Sequence, residues 1–102
     1  MQKTTMTIED ALALLRKHIG MTALIPGSDE EGRIVGATKA YNPRRRCAYP
    51  ALYVKGDHTG LIYEVPVSDC RVRPVEDDIS VPILEFLDNP GLACVTIPSA
   101  GF

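Results

Sequence analysis

A chain of 102 residues, 45% hydrophobic and 24% charged, has material for one modest core and one domain, residues 1–102. It has no run near the ~18–20 apolar residues that cross a bilayer. Its apolar stretch Ala11–Leu15 also meets Arg16, Lys17 and His18 instead of a cleavage site, so no membrane partner and no leader peptide are expected. The net charge of −2 is unevenly spread: Arg33, Lys39, Arg44, Arg45, Arg46 and Lys55 face only Asp57 between residues 33 and 58, while both flanking stretches are acidic.

The first organised segment is a helix over Thr7–Ile19. Thr7 is placed to cap it, with Asp10 in the position of the usual capping-box acid. Ile8, Ala11, Leu12, Leu15 and Ile19 recur at helical spacing, basic residues occupy the last turn, and Gly20 ends it. Met21–Ile25 reads as a short strand closed by Pro26-Gly27, and Ser28–Glu31 as an acidic loop tip. Arg33–Lys39 is a second strand, interrupted at Gly36, where a small barrel needs a sharp bend. Asn42–Pro50 is expected to be a loop. Ala51–Lys55 and Leu61–Val67 are strands joined by the glycine-bracketed turn Gly56–Gly60.

On the fourth strand Leu61, Tyr63, Val65 and Val67 share one face, and Pro66 marks an edge or a bulge. Ser68-Asp69 reads as a one-turn connector into a fifth strand, Cys70–Val75. After the acidic linker Glu76-Asp77-Asp78, Ser80 is expected to cap a helix over Val81–Asp88, with Ile79 and Leu84 as a hydrophobic staple. Asn89-Pro90-Gly91 would end that helix, and Leu92–Ile97 reads as a last strand.

The segment 20–75, about half the chain, resembles an SH3-like barrel of the KOW and Tudor type. The residues that carry the likeness are Gly20-Met21, Gly32-x-Ile34-Val35-Gly36, Tyr53-Val54 and Ile62–Val67 with its one-turn connector. The resemblance implies an SH3-like antiparallel barrel of about five short strands for that segment; with the N-terminal amphipathic helix (7–19) packed on it and the short C-terminal helix and strand (76–102) read from the residues, the expected fold is α+β. A similar pattern also occurs in the plasmid-encoded type II dihydrofolate reductases, which have a Gly-x-Ile-Val-Gly strand and a later Ile-Tyr strand followed by Pro-Val. In this chain Glu64 and Val65 intervene before Pro66-Val67. Leu61 stands where that family has its ligand-contacting glutamine, so the resemblance extends to the fold and not to the activity.

No catalytic or metal-ligating set emerges. His18, Cys47, Asp57, His58, Cys70 and Cys94 contain no C-x-x-C or H-x-x-x-H pair, and no cofactor fingerprint is present. Cys47 follows three arginines, and a Cys47–His58 pair is conceivable on paper only. Three widely spaced cysteines fit a reducing cytoplasm better than a disulfide framework.

The conspicuous polar feature is Arg44-Arg45-Arg46, flanked by Lys39, Tyr41 and Tyr49, where guanidinium groups and aromatic rings could grip phosphates and stack bases. The plainer alternative is a solvated loop whose arginines pair with Glu30, Glu31 or the acidic linker. Tyr41, Tyr49, Tyr53 and Tyr63 crowd one short stretch, and tyrosine suits interfaces. The expected role is that of a small non-catalytic cytoplasmic binding protein acting through Lys39, Tyr41, Arg44, Arg45, Arg46 and Tyr49. Its expected partner is a protein or a second copy, with nucleic acid as the alternative. In size and makeup the chain resembles accessory proteins of phages and mobile elements.

Overall fold

The computed structural model describes residues 7–28, 30–74, 79–88, 92, 97 and 98. Helix α1 spans Ile8–Arg16, and the Thr7 hydroxyl accepts the Asp10 amide at 3.1 Å. Ile8, Ala11, Leu12 and Leu15 are buried, as their spacing predicts. The helix stops three residues before Ile19. The amides of Lys17, His18 and Ile19 bond back to carbonyls only three residues earlier, a tightening common at helix ends. Gly20 then turns the chain at φ +99°, and its amide bonds the Ile34 carbonyl, which leaves Ile19 53% exposed.

The strands are β1 (Thr22–Leu24), β2 (Glu31–Asn42), β3 (Cys47–Gly56), β4 (Ile62–Pro66), β5 (Arg71–Arg73), β6 (Val81–Pro82) and β7 (Ile97–Pro98). All pairings are antiparallel, in the order β4-β3-β2-β1-β5-β6. β7 adds to β3 at Cys47 and Ala48, beyond the end of β4. The sheet is open, and this corrects the expected closed barrel. β1 and β5 are only three residues long, so the sheet narrows on that side and offers no strand on which β4 could close. β4 is therefore an edge, consistent with Pro66 at its end.

β2 and β3 form a longer ribbon than the sequence pattern indicates. The expected loop Asn42–Pro50 shrinks to residues 43–46, and Cys47–Pro50 belong to β3. Pro50 is tolerated because it lies between the stretch of β3 paired to β4, from Ala51, and the stretch paired to β7, Cys47 and Ala48. The register slips by one residue between Ile34 and Gly36, a bulge that turns Val35 outward.

A one-turn 3-10 helix at Val67–Asp69 leads into β5, shorter than the expected Cys70–Val75. The expected helix over Val81–Asp88 is also corrected. Val81-Pro82 pair with Arg71 and Val72, leaving one turn, α2 (Ile83–Phe86). Ser80 does not cap it. Its hydroxyl and carbonyl accept Arg71 Nε and Nη2 at 3.1 and 2.8 Å. Ile79 is 74% exposed and forms no staple. The Glu76–Asp78 linker, the Asn89–Gly91 stop, Cys94 and most of the last expected strand lie outside the described residues.

One core joins α1 to the sheet's inner face: Ile8, Leu12 and Leu15 from the helix, with Ala23, Ile34, Leu52, Val54, Val65, Val72, Ile83 and Leu92. Arg16 Nη2 ties the helix end to the Ala37 carbonyl at 3.3 Å. His18 and Phe86 meet edge to face at 5.8 Å, linking the ends of the two helices.

Candidate functional site

The site is built on the β2–β3 ribbon. Its turn is set by Asn42, whose side-chain oxygen accepts the amides of Arg44 (3.0 Å) and Arg45 (3.3 Å). Pro43 follows, and Arg46 takes a left-handed backbone, φ +51°. Arg44, Arg45 and Arg46 are thus exposed at an ordered tip.

Strand alternation and register sort the remaining candidates between the two faces. Lys39 pairs with Pro50 and Tyr41 with Ala48, on the face that carries the core. Both side chains lie exposed, past the end of the helix cover. Tyr49 is on the opposite, outer face, where it pairs with Ala40. The structure therefore joins Tyr49 to the arginine tip and separates it from Lys39 and Tyr41.

The outer face of β3 reads Lys55, Tyr53, Ala51, Tyr49, Cys47. The facing residues of β2 are Arg33, Gly36, Thr38, Ala40 and Asn42. Arg33 and Lys55 are direct cross-strand partners, both exposed. The row they belong to crosses the sheet as Ile62, Lys55, Arg33, Thr22, Arg73. Tyr53 rests over Gly36, its Cδ2 3.5 Å from where a glycine Cβ would stand. Tyr63 faces inward and packs on the core.

Sequence reasoning missed Arg33, Lys55 and Tyr53 as members of one surface. Arg33 and Lys55 are 22 positions apart, and only the register brings them together.

Of the acidic groups that the sequence offers the arginine tip, Glu30 and Glu31 are engaged elsewhere, and the Glu76–Asp78 linker lies outside the described residues. Glu31 pairs with Arg73. Glu30 Oε1 accepts the amides of His58 and Thr59, each at 2.8 Å. The Thr59 amide, above all, holds the Glu30 carboxyl below its ordinary range. Partial desolvation opposes this, and the His58 amide and Thr59 hydroxyl add to the lowering. Both carboxylates lie at the far end of β2 from the arginine tip.

Two pockets flank the ribbon. One, of about 240 Å³, adjoins the tip, with Asn42, Arg45, Cys47 and Tyr49 on one side and Pro66–Asp69 and Leu92 on the other. The second, of about 280 Å³, lies among Leu24, Glu31, Asp57, His58 and Arg73. Cys47 opens β3 and His58 follows its end, roughly 30 Å apart along a strand of this length, so they make no catalytic pair. Cys70 is buried, and desolvation pushes its thiol up to about 12. Among the described residues no three of His, Cys, Asp and Glu gather as a metal site, and no helix is long and apolar enough to cross a membrane.

No family model, no curated protein and no solved structure matches this chain.

Proposed function

We propose that this chain is a non-catalytic binding module of SH3-like topology, opened at one side, whose working surface is the β2–β3 ribbon and whose partner is nucleic acid. The topology is supported by the sheet order, in which β5 returns to β1 after a one-turn helix at Val67–Asp69. The partner rests on one observation. The six basic residues of the middle segment all lie on a single ribbon, at its tip and along its two strands, while Glu30 and Glu31 are committed at its base.

Anisotropy with labelled DNA and RNA, single- and double-stranded, from about 50 to 200 mM salt is the test, because phosphate contacts release counterions. Wild type should bind with a negative salt slope, and Arg44→Ala/Arg45→Ala should lose affinity and slope together. Arg46 is left in place to keep the turn. Absence of binding at low salt would end this reading.

A second reading, a protein segment or a second copy as partner, is favoured by the pocket beside the tip. Its wall of Pro50, Pro66, Val67 and Leu92 suits an apolar side chain, with Arg45 and Asp69 lining the same pocket. Peptide-library panning against wild type and Ser68→Trp, together with sedimentation of the free protein, tests it. Selected peptides should be lost with the filled pocket.

A further inference from the structure

We infer that the outer face of β3 is a track for single-stranded nucleic acid, with Tyr53 and Tyr49 as stacking platforms and Arg33 and Lys55 holding phosphate at one end; this rests on the nucleic-acid reading above. Like charges directly opposite one another on neighbouring strands are destabilising, and Arg33 faces Lys55 in this way. Among the described residues neither makes an ion pair or a side-chain hydrogen bond. An anion bridging the two removes the repulsion, and a phosphodiester is an anion that recurs along a chain.

The rest of the face fits that choice. Tyr53 lies two residues from Lys55 on the same side of β3, about 7 Å away, and Tyr49 a further ~14 Å along. Each ring is half-buried. Tyr53 is supported from beneath by Gly36, and the residues between the rings, Thr38, Ala40 and Ala51, are small. Beyond Tyr49 stands the arginine tip. Cations thus close both ends of a two-tyrosine track, a length suited to about four nucleotides, at the short end of the range for single folds. A duplex keeps its bases stacked on one another and has no use for the rings.

Other charged groups near this face set its borders. Arg73 is neutralised by Glu31. Glu64, opposite Tyr53 on the edge strand, repels phosphate and keeps the path on the β2 side. Asp57 lies past the end of β3, beside the Glu31 pocket.

The experiment titrates the full chain with short oligo-dT and oligo-U and with a duplex of equal length, reading anisotropy and intrinsic tyrosine fluorescence. The chain has no tryptophan, so stacking appears directly as tyrosine quenching. Single strands should bind at least tenfold more tightly than duplex, with quenching. Tyr53→Leu and Tyr49→Leu, which keep bulk over the small floor, should each cost about tenfold and leave the salt slope unchanged. Tyr→Phe at either position should restore binding. Arg33→Gln/Lys55→Gln should reduce the salt slope by about 0.7, the share of the one phosphate the pair holds.

If duplex binds as well as single strands and the leucine variants bind like wild type, the track is refuted while nucleic-acid binding stands. If no oligonucleotide binds at 50 mM salt, both fall. If acidic peptides bind this face and oligonucleotides do not, the partner is a protein.

Discussion

The Glu30 carboxylate accepts both the amide and the hydroxyl of Thr59, 29 residues further along the chain. It also takes the His58 amide, and the Asp57 amide bonds the Glu31 carbonyl, so the turn after β3 is clasped to the start of β2. The carboxyl is held below its ordinary range, so the native state prefers it ionised. Its contribution to stability is present at neutral pH and is lost as the pH falls through the lowered folded-state value. Protection factors for amide exchange at His58 and Thr59, taken against the intrinsic rate at each pH, should therefore be high at neutral pH and fall in acid. Glu30→Gln should exchange faster than wild type at neutral pH and converge with it in acid. Equal exchange in the two proteins at pH 7 would contradict the clasp.

Gly32 and Gly36 occupy the same strand with different consequences. A Cβ on Gly32 would run into the Lys55 carbonyl, a backbone atom that cannot swing aside, and crowd Val54. A Cβ on Gly36 would meet only the Tyr53 ring, at an ordinary 3.5 Å. Gly32→Ala should thus cost about 1–3 kcal/mol by overpacking. Gly36→Ala should be tolerated to within ~1 kcal/mol, since the residue neither crowds its neighbours nor has a left-handed backbone. Urea denaturation of the two variants separates them.

The helix makes a similar contrast between two apolar residues of one predicted stripe. Leu15 is fully buried, so Leu15→Ala should lose about 2–5 kcal/mol. Ile19 lies past the helix end and is 53% exposed, so Ile19→Ser should change stability by less than ~0.5 kcal/mol. Thermal melts of both variants provide the check.

The cysteines should differ in reactivity. Cys70 is buried with its thiol pushed up to about 12, and it should resist alkylation until the protein unfolds. Cys47, half-buried on the wall of the tip pocket, should be modified in the native state. Mass spectrometry in a Cys94→Ser background, before and after denaturant, distinguishes them. Equal native labelling would contradict the burial of Cys70.

Local chemistry was enough to place α1, the turn at Gly56–Gly60, the one-turn connector after Pro66 and the edge character of that proline. Each rests on neighbours within a few positions: a cap three residues from its amide, a periodic stripe, a residue without a donor. The length of β2 and β3 was harder to read. Pro43, three arginines and Pro50 look like loop chemistry, yet a four-residue turn anchored by Asn42 lets the ladder run on to Cys47. The helix expected after Ser80 fails for a related reason. Val81 and Pro82 find a partner in β5, and Arg71 takes the oxygen atoms of Ser80 that would have served a cap.

By itself, the sequence determined that this is a small α+β protein with a helix of known face, a set of short antiparallel strands and a basic middle. It did so because helix periodicity, caps and turn residues act over one or two turns of chain. Tertiary structure decided that the sheet stays open, that Lys39 and Tyr41 part from Tyr49, and that Arg33 meets Lys55 beside Tyr53. The first follows from the shortness of β1 and β5, the others from strand register, which the single extra residue at Val35 resets for everything that follows in β2.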